Sequence, residues 1–174
     1  MLKGDKIYLR ALEPADINFL YHCENDTSVW NVTNTFIPFS KNNLLKYINS
    51  QQDIYADKQL RLVIINKQDN QPVGFIDIFD FDPYHMRAGI GILVAGKENR
   101  NKGYAREALQ IISVYTKNIL GLKNLFCNIL ANNMASIKIF EANNFKKIAC
   151  KPAWHRQNNE WIDEYFYIKT LTHD

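Results

Sequence analysis

The spacing of hydrophobic residues changes several times along this chain, and each change marks an element. Ile7-Tyr8-Leu9-Arg10-Ala11-Leu12 alternates as a half-buried strand does, and Glu13-Pro14 ends it. Pro14 and Asp16 favour a helix start, after which Ile17, Leu20, Tyr21 and Glu24 fall at helical spacing. From Asn25 to Phe39 no period is sustained. Trp30, Phe36 and Phe39 sit there among polar residues, as in a loop or short helices carrying exposed aromatics that shape a pocket or cap the core. Ser40 then caps a second helix holding Leu44, Leu45, Tyr47 and Ile48.

Leu60 to Asn66 and Pro72 to Phe79 are β-rich runs on either side of the turn formers Lys67-Gln68-Asp69-Asn70-Gln71, which reads as a hairpin. Ala88 to Ala95 adds a third antiparallel strand after Asp80-Phe81-Asp82-Pro83-Tyr84-His85. The period then lengthens: from Ala105, the residues Ala108, Leu109, Ile112, Tyr115, Thr116 and Ile119 recur at helical spacing until Gly121 stops them. Leu125 to Leu130 is a strand, Asn133 to Asn143 a short helix, Lys146 to Cys150 a strand, and Trp161 to Leu171 a last strand after Gln157-Asn158-Asn159. The order is β-α-α-β-β-β-α-β-α-β-β, about seven strands and about four helices in one α/β (α+β) domain over residues 1–174.

Composition narrows the function. A formal charge of +3, from 21 basic and 18 acidic residues without long runs of either sign, gives no footprint for nucleic acid. Cys23, Cys127 and Cys150 are far apart and odd in number, which excludes a disulfide framework and a Cys-x-x-Cys metal site. The amino terminus lacks a signal peptide's apolar core, and no stretch approaches a membrane span. A cytoplasmic protein with reduced thiols, no metal and no membrane partner is expected, with a homo-oligomer left open.

The basic residues that do gather, Lys97, Arg100, Lys102 and Arg106, surround a turn. Arg100-Asn101-Lys102-Gly103-Tyr104-Ala105 joins a buried strand to an amphipathic helix. The first N–H groups of a helix have no intrahelical partner and lie at the positive end of its dipole, so such a turn can hold a pyrophosphate. Gly103 lets the backbone approach an anion closely, small Ala105 keeps the next turn uncrowded, and Arg100 and Lys102 supply charge. Neither the Walker spacing nor Gly-x-Gly-x-x-Gly is present, so mononucleotide kinases and nicotinamide enzymes recede.

This segment resembles the Arg/Gln-x-x-Gly-x-Gly/Ala turn of the GNAT superfamily of acetyltransferases. The run from Asn133 to Phe145 is similar to that family's second signature, with Asn144 where Gly is usual; Asn also adopts the left-handed conformation that ends helices. The opening from Ile7 to Asp16 and the closing Asn159 to Tyr167 are similar to the branch holding spermidine and ribosomal-protein N-terminal acetyltransferases.

The resemblance implies a mixed, mostly antiparallel sheet and direct transfer from acetyl-CoA, as co-substrate, to a small-molecule amine such as a polyamine, or to a peptide amino terminus. A non-catalytic acyl-CoA sensor is the rival reading. It also implies that the strands Ala88 to Ala95 and Leu125 to Leu130 splay apart, with Leu93 and Val94 pairing to the pantetheine arm. Arg100, Asn101, Lys102, Gly103, Tyr104 and Ala105 would hold the pyrophosphate. Asn133, an ordinary helix cap on its own spacing, would contact the coenzyme, with Ser136 and Phe140 nearby.

For the chemistry, a lysine-like amine is neutral in only about one molecule in 2,500 at pH 7, so a base or a desolvating pocket is needed. The backbone N–H of Leu93 or a neighbour is expected to stabilise the oxyanion. Asp77, an outward-facing strand residue on its own spacing, is similar in position to a second carboxylate of the spermidine-type enzymes, and that resemblance implies a base, water orienter or amine-binding anion. Gly89 stands where spermidine-type enzymes often carry Glu, and Phe140 where many members carry a proton-donating Tyr, leaving water, Tyr104 or Tyr167 for that step. Asp80, Asp82, His85, Trp154 and His155 are lesser candidates for the acceptor groove.

Overall fold

The computed structural model describes residues 2–50 and 53–171. The strands are β1 (Leu2–Lys3), β2 (Ile7–Ala11), β3 (Leu60–Asn66), β4 (Pro72–Asp82), β5 (Arg87–Val94), β6 (Asn124–Leu130), β7 (Lys146–Gln157) and β8 (Glu160–Thr170). The helices are α1 (Ile17–Glu24), α2 (Trp30–Thr33), α3 (Lys41–Asn49), α4 (Ile54–Asp57), α5 (Tyr104–Asn118) and α6 (Met134–Ala142), with short 3-10 turns at Pro14–Asp16 and Lys97–Asn99. All eight strands form one sheet in the order β1-β2-β3-β4-β5-β6-β8-β7. Every pairing is antiparallel except β5 with β6.

The differences from the expected order have local causes. β1 is two residues long, folding back so that Leu2 faces Leu9, and α2 and α4 have four residues each; none is long enough to show a period. β7 runs past Cys150 to Gln157 because a register shift between Lys151 and His155 absorbs Pro152 and Ala153. Ala153 takes a φ of 49° there, and its N–H donates to Asp163 Oδ1 at 2.8 Å. Ser40 caps α3 through Asn43 N–H, and Asn144 closes α6 with a φ of 65°, as the sequence predicts.

The alternation of the central strands sends residues to two cores. Ile64, Ile76, Ile78, Ile90, Cys127 and Tyr167 face α5 and α6, with Ala108, Leu109, Ile112 and Phe140. Val63 and Phe75 face α1 and α3, with Leu20, Cys23, Leu44 and Ile48. The first face gives the sheet its deepest core. The second, less fully covered, carries the polar groups described next.

Candidate active site

The sheet is interrupted in its middle. β5 and β6 pair only through Arg87 with Asn124, Ala88 with Leu125 and Gly89 with Phe126, and among the described residues no further pair joins them. β5 continues to Val94 and β6 to Leu130, each paired on its other side with β4 or β8. A crevice therefore opens between the two strands beyond Gly89.

The register decides which peptide groups line it. Ala95 N–H donates to Val73 O at 2.9 Å, so the odd-numbered residues Leu93, Gly91 and Gly89 form the hydrogen-bonded pairs with β4, opposite Phe75, Asp77 and Phe79. The even-numbered residues turn the other way, as Met86 O shows by accepting from Asn124 N–H at 3.1 Å. Ile90, Ile92 and Val94 thus direct their N–H and C=O groups toward the crevice. This corrects the expectation for Leu93, whose N–H belongs to the β4 ladder. Val94 keeps the orientation expected of it.

Beyond β5 the chain reaches the turn before α5. Asn101 and Gly103 have positive φ, 60° and 87°, and Gly103 is the helix's first cap without a side-chain hydrogen bond. The N–H groups of Tyr104, Ala105 and Arg106 have no protein acceptor among the described residues. A Cβ on Gly103 would meet only Lys6 Nζ, at 3.6 Å, so the approach to these groups is open. Arg100, Lys102 and Arg106 are exposed around them, whereas the Tyr104 side chain is buried in the main core, leaving its N–H as what it offers. An anion-binding geometry results.

Lys6, which sequence reasoning missed, completes this turn. Its Nζ donates to Lys102 O at 3.1 Å, and its N–H donates to the Glu107 carboxylate at 3.0 Å. Glu107 thereby ties the β1–β2 turn to the first turn of α5. A groove of about 600 Å³ lies alongside, lined by Lys6, Lys67, Asn101, Lys102 and Tyr104 among others. No periodicity connects position 6 with position 102, so only the fold reveals the pair.

On the opposite side of the same open end, beyond β6, Asn133 caps α6, its Oδ1 accepting from Ser136 N–H at 3.2 Å. Phe140 is buried, its ring edge-on to Phe145 with centroids 4.9 Å apart. Tyr167, one candidate proton donor, is buried and donates to Glu141 at 3.0 Å; burial and that carboxylate push its phenol up to about 12. It is a poor acid toward a thiolate.

The sheet face toward α1 and α3 carries the remaining polar groups. Asp77 lies opposite Arg61 on β3, which donates through Nε at 2.7 Å and Nη2 at 3.0 Å, and Arg61 Nη1 also bonds Glu24 of α1. Burial opposes the Arg61 charge most, but Asp77 and Glu24 outweigh it and hold the guanidinium protonated. Asp77, with both oxygens engaged, is not available as a base. The expectation narrows to an anion for electrostatics. Glu24 and Arg61 carried no sequence signal, because a lone charge on a helix or strand reads as surface.

Gly89 has a packing cause. A Cβ there would lie 2.2 Å from the Phe79 ring, which is edge-on to Phe126 at 5.7 Å. Phe79 occupies the space where a longer side chain would project. Across the crevice on this same face, β6 and β8 contribute Phe126, Phe166, Asn128 and Glu164. Glu164 accepts from Lys151 Nζ at 2.6 Å and lies 2.7 Å from His155 Nε2. Burial works to raise its pKa, but these two partners outweigh it and hold it below the ordinary carboxylate range.

The lesser candidates are scattered. Phe36 is 80% exposed, and Trp30 Nε1 donates to Glu24 O. Asp82 accepts from His85 N–H within the β4–β5 turn, and Trp154 is exposed. Among the described residues no group of His, Cys, Asp and Glu could hold a metal, and no helix is long and apolar enough to cross a membrane.

A splayed strand pair ending on an open helix start is the arrangement expected for a pantetheine arm and pyrophosphate. Comparison with known proteins decides the family: the model of the acetyltransferase (GNAT) domain matches residues 6–146. The chain belongs to the GNAT acetyltransferases. It is an acetyl-CoA-dependent N-acetyltransferase, with acetyl-CoA as co-substrate.

Among individual GNAT relatives, the spermidine N(1)-acetyltransferase of Vibrio cholerae is 23% identical over 138 residues, 79% of this chain and 78% of that protein. The uncharacterized N-acetyltransferase p20 of Bacillus licheniformis is 26% identical over 171 residues, 95% and 93% of the two chains. The crystal structure of a Vibrio cholerae spermidine N-acetyltransferase with CoA and spermine superposes with a TM-score of 0.86 at 20% identity, covering 97% of both chains. A dodecameric structure of a spermidine N-acetyltransferase from that organism gives 0.79 at 20% identity, covering 97% and 95%. At these identities the likeness establishes the shared GNAT fold.

Proposed function

We propose that this enzyme acetylates a primary amine of the polyamine class, such as spermidine. The observation that carries the reading is that the crevice opens on the sheet face holding Glu24, Asp77 and Glu164. Arg61 offsets one of the first two charges and Lys151 offsets the third, so the face keeps a net negative charge beside the reaction centre. A cationic amine is drawn to such a surface, more strongly as water is excluded from it. Similarity to spermidine N-acetyltransferases points the same way.

In this reading the N–H groups of Tyr104, Ala105 and Arg106, with Arg100, Asn101, Lys102, Gly103 and Lys6, hold the coenzyme's pyrophosphate. Ile90, Ile92 and Val94 pair with the pantetheine amides, and the N–H of Ile92 or Val94 replaces Leu93 as the oxyanion donor. Asn133 uses its Nδ2 for the coenzyme while Oδ1 caps α6, and Ser136 and Phe140 line the thiol end. Asp77, held by Arg61, acts on the acceptor as a fixed negative charge. A thiol has a pKa near 8.5, so departure without a protein acid is tolerable, in agreement with Phe140.

A peptide amino terminus as acceptor has no comparable observation in its favour. A non-catalytic sensor would be suggested by Gly89 and Phe140 standing where polar catalytic residues are usual, and it weakens because Gly89 has a packing cause. Cytoplasmic location fits the reduced thiols, and a homo-oligomer fits the dodecameric relative.

The test is release of CoA thiol with spermidine, spermine, aminoglycosides and short peptides as acceptors. Turnover with spermidine or spermine well above that with peptides is the expected result. Preference for peptides or aminoglycosides would overturn the polyamine reading.

A further inference from the structure

His155 was reached by sequence as a wall residue at most, yet its surroundings are those of a functional imidazole. It projects from β7 opposite Ile162, on the sheet face that carries Glu164, with β8 and β6 between β7 and the crevice, and its Nε2 is 2.7 Å from Glu164 Oε2. Glu164 is almost fully buried, and Leu130, beside it on β6, stands at the far end of the strand that borders the crevice. Lys151 binds the other oxygen of Glu164 at 2.6 Å and is itself held by Asn128 Oδ1 at 3.2 Å. The end of the same hairpin reaches the helical segment over this face, Gln157 Nε2 donating to Asn31 O at 3.5 Å.

These contacts fix the imidazole chemically. An ionised carboxylate accepts only, so Nε2 carries the hydrogen toward Glu164 and the lone pair is left on Nδ1. Among the described residues Nδ1 has no partner, and the side chain is 27% exposed. The titratable group bonded to the ring is Glu164 from β8, whose other oxygen is held by Lys151 of His155's own strand; α1, α2 and α3 send the ring no ion pair among the described residues. Lys151 already balances the Glu164 charge, and Nδ1 stands as an open hydrogen-bond acceptor on this face.

We infer that His155 is the general base of the acetyl transfer and Glu164 its positioning residue; the inference rests on transfer to an ammonium-bearing acceptor. Nδ1 takes one proton from the acceptor ammonium and later yields it to solvent. The freed amine forms the C–N bond to the thioester carbon, and the C–S bond breaks with its electron pair on sulfur. The second nitrogen proton passes to that sulfur through water. One proton is released per turnover, and no acidic side chain is required where Phe140 stands.

The experiment measures kcat/KM against pH with whichever of spermidine, spermine or an alanine-led peptide the wild type acetylates fastest. His155→Asn is expected to lose about 10²- to 10⁴-fold in kcat/KM for the amine, the usual worth of a general base, with the KM for acetyl-CoA unchanged. The acid limb of the wild-type profile should vanish. Glu164→Gln should lose tenfold or more and move that limb, and Glu164→Asp should recover part of the loss. Nitrogen-15 histidine spectra, with His155→Gln assigning the signal, should show hydrogen on Nε2 and none on Nδ1 at pH 8. Hydrogen on Nδ1, or an unaltered acid limb in both His155 variants, overturns the inference even where the enzyme is active. Absence of turnover with all three amines would instead refute the acceptor reading on which it rests.

Discussion

Arg61 grips Asp77 through two parallel bonds, Nε to Oδ1 at 2.7 Å and Nη2 to Oδ2 at 3.0 Å, while its third nitrogen reaches Glu24. One guanidinium thus ties β3, β4 and α1 together on the face proposed to meet the acceptor. Arg61→Met would leave two carboxylates close together without their cation, and a loss of about 3–5 kcal/mol in stability is expected. Urea unfolding of Arg61→Met and of Arg61→Met/Asp77→Asn/Glu24→Gln checks it. The triple variant should regain part of the loss; equal stability of single variant and wild type would show that the pair contributes nothing.

Gly103→Val is expected to lower CoA affinity tenfold or more in calorimetry. The Cβ itself meets nothing closer than Lys6 Nζ at 3.6 Å, but a φ of 87° disfavours a branched side chain, and the methyl groups would stand in front of the open N–H groups. The strain costs about 1–3 kcal/mol, which a stable domain survives. Unchanged affinity in a folded variant would remove the turn from the coenzyme site.

Lys6→Met tests the residue that only the fold revealed. Loss of one cation beside the α5 turn should weaken CoA binding several-fold at low salt and less at high salt, because an exposed charge is screened. Equal affinity for both proteins at low ionic strength would confine Lys6 to tying down the β1–β2 turn.

Phe140→Tyr reads from sequence as nearly neutral for folding, since the change adds one hydroxyl at a family position that often carries it. The structure reverses this expectation. Phe140 is 3% exposed and edge-on to Phe145, so the new hydroxyl is buried, at a cost of about 1–3 kcal/mol where it finds no partner. A fall in melting temperature is expected in thermal unfolding; a large gain in activity without that fall would show the hydroxyl reaching the crevice.

Asp16 sets an acid limit. Burial favours its protonation most, but the two Arg10 bonds and the Glu13 N–H outweigh burial and hold its pKa below the ordinary value. A depressed carboxylate contributes stability above its unfolded pKa and loses it as pH falls through the folded one. Wild type should therefore lose stability to acid more steeply than Asp16→Asn below about pH 4. Parallel curves for the two proteins in that range would contradict the assignment.

The backbone of the fold was legible where periods are long. β3, α3 and α5 lie within a residue of the sequence reading, because each spans enough positions for spacing to show. β1, α2 and α4 were not, being two to four residues long and held by tertiary contact. At the site, the Gly103 turn follows from local rules of helix starts. The side chains that matter on the acceptor face come from distant positions, Glu24 with Arg61 and Asp77, His155 with Lys151 and Glu164. Leu93 was misplaced for a related reason: which way a peptide group points depends on the parity of its pairing, and parity is set by the partner strand.

The three-pair junction between β5 and β6 also bears on how the chain reaches its final form. β2 to β5 each pair with the strand before them in sequence, and β7 pairs with β8, so apart from the long β2–β3 connection most of two plates can arise from short-range hairpins. Joining them waits on the α5 crossover and gains only the three pairs from Arg87 with Asn124 to Gly89 with Phe126. Gly89 and Phe126 are then expected to organise after the rate-limiting barrier, and the seam proposed for the coenzyme is the last part of the sheet to close.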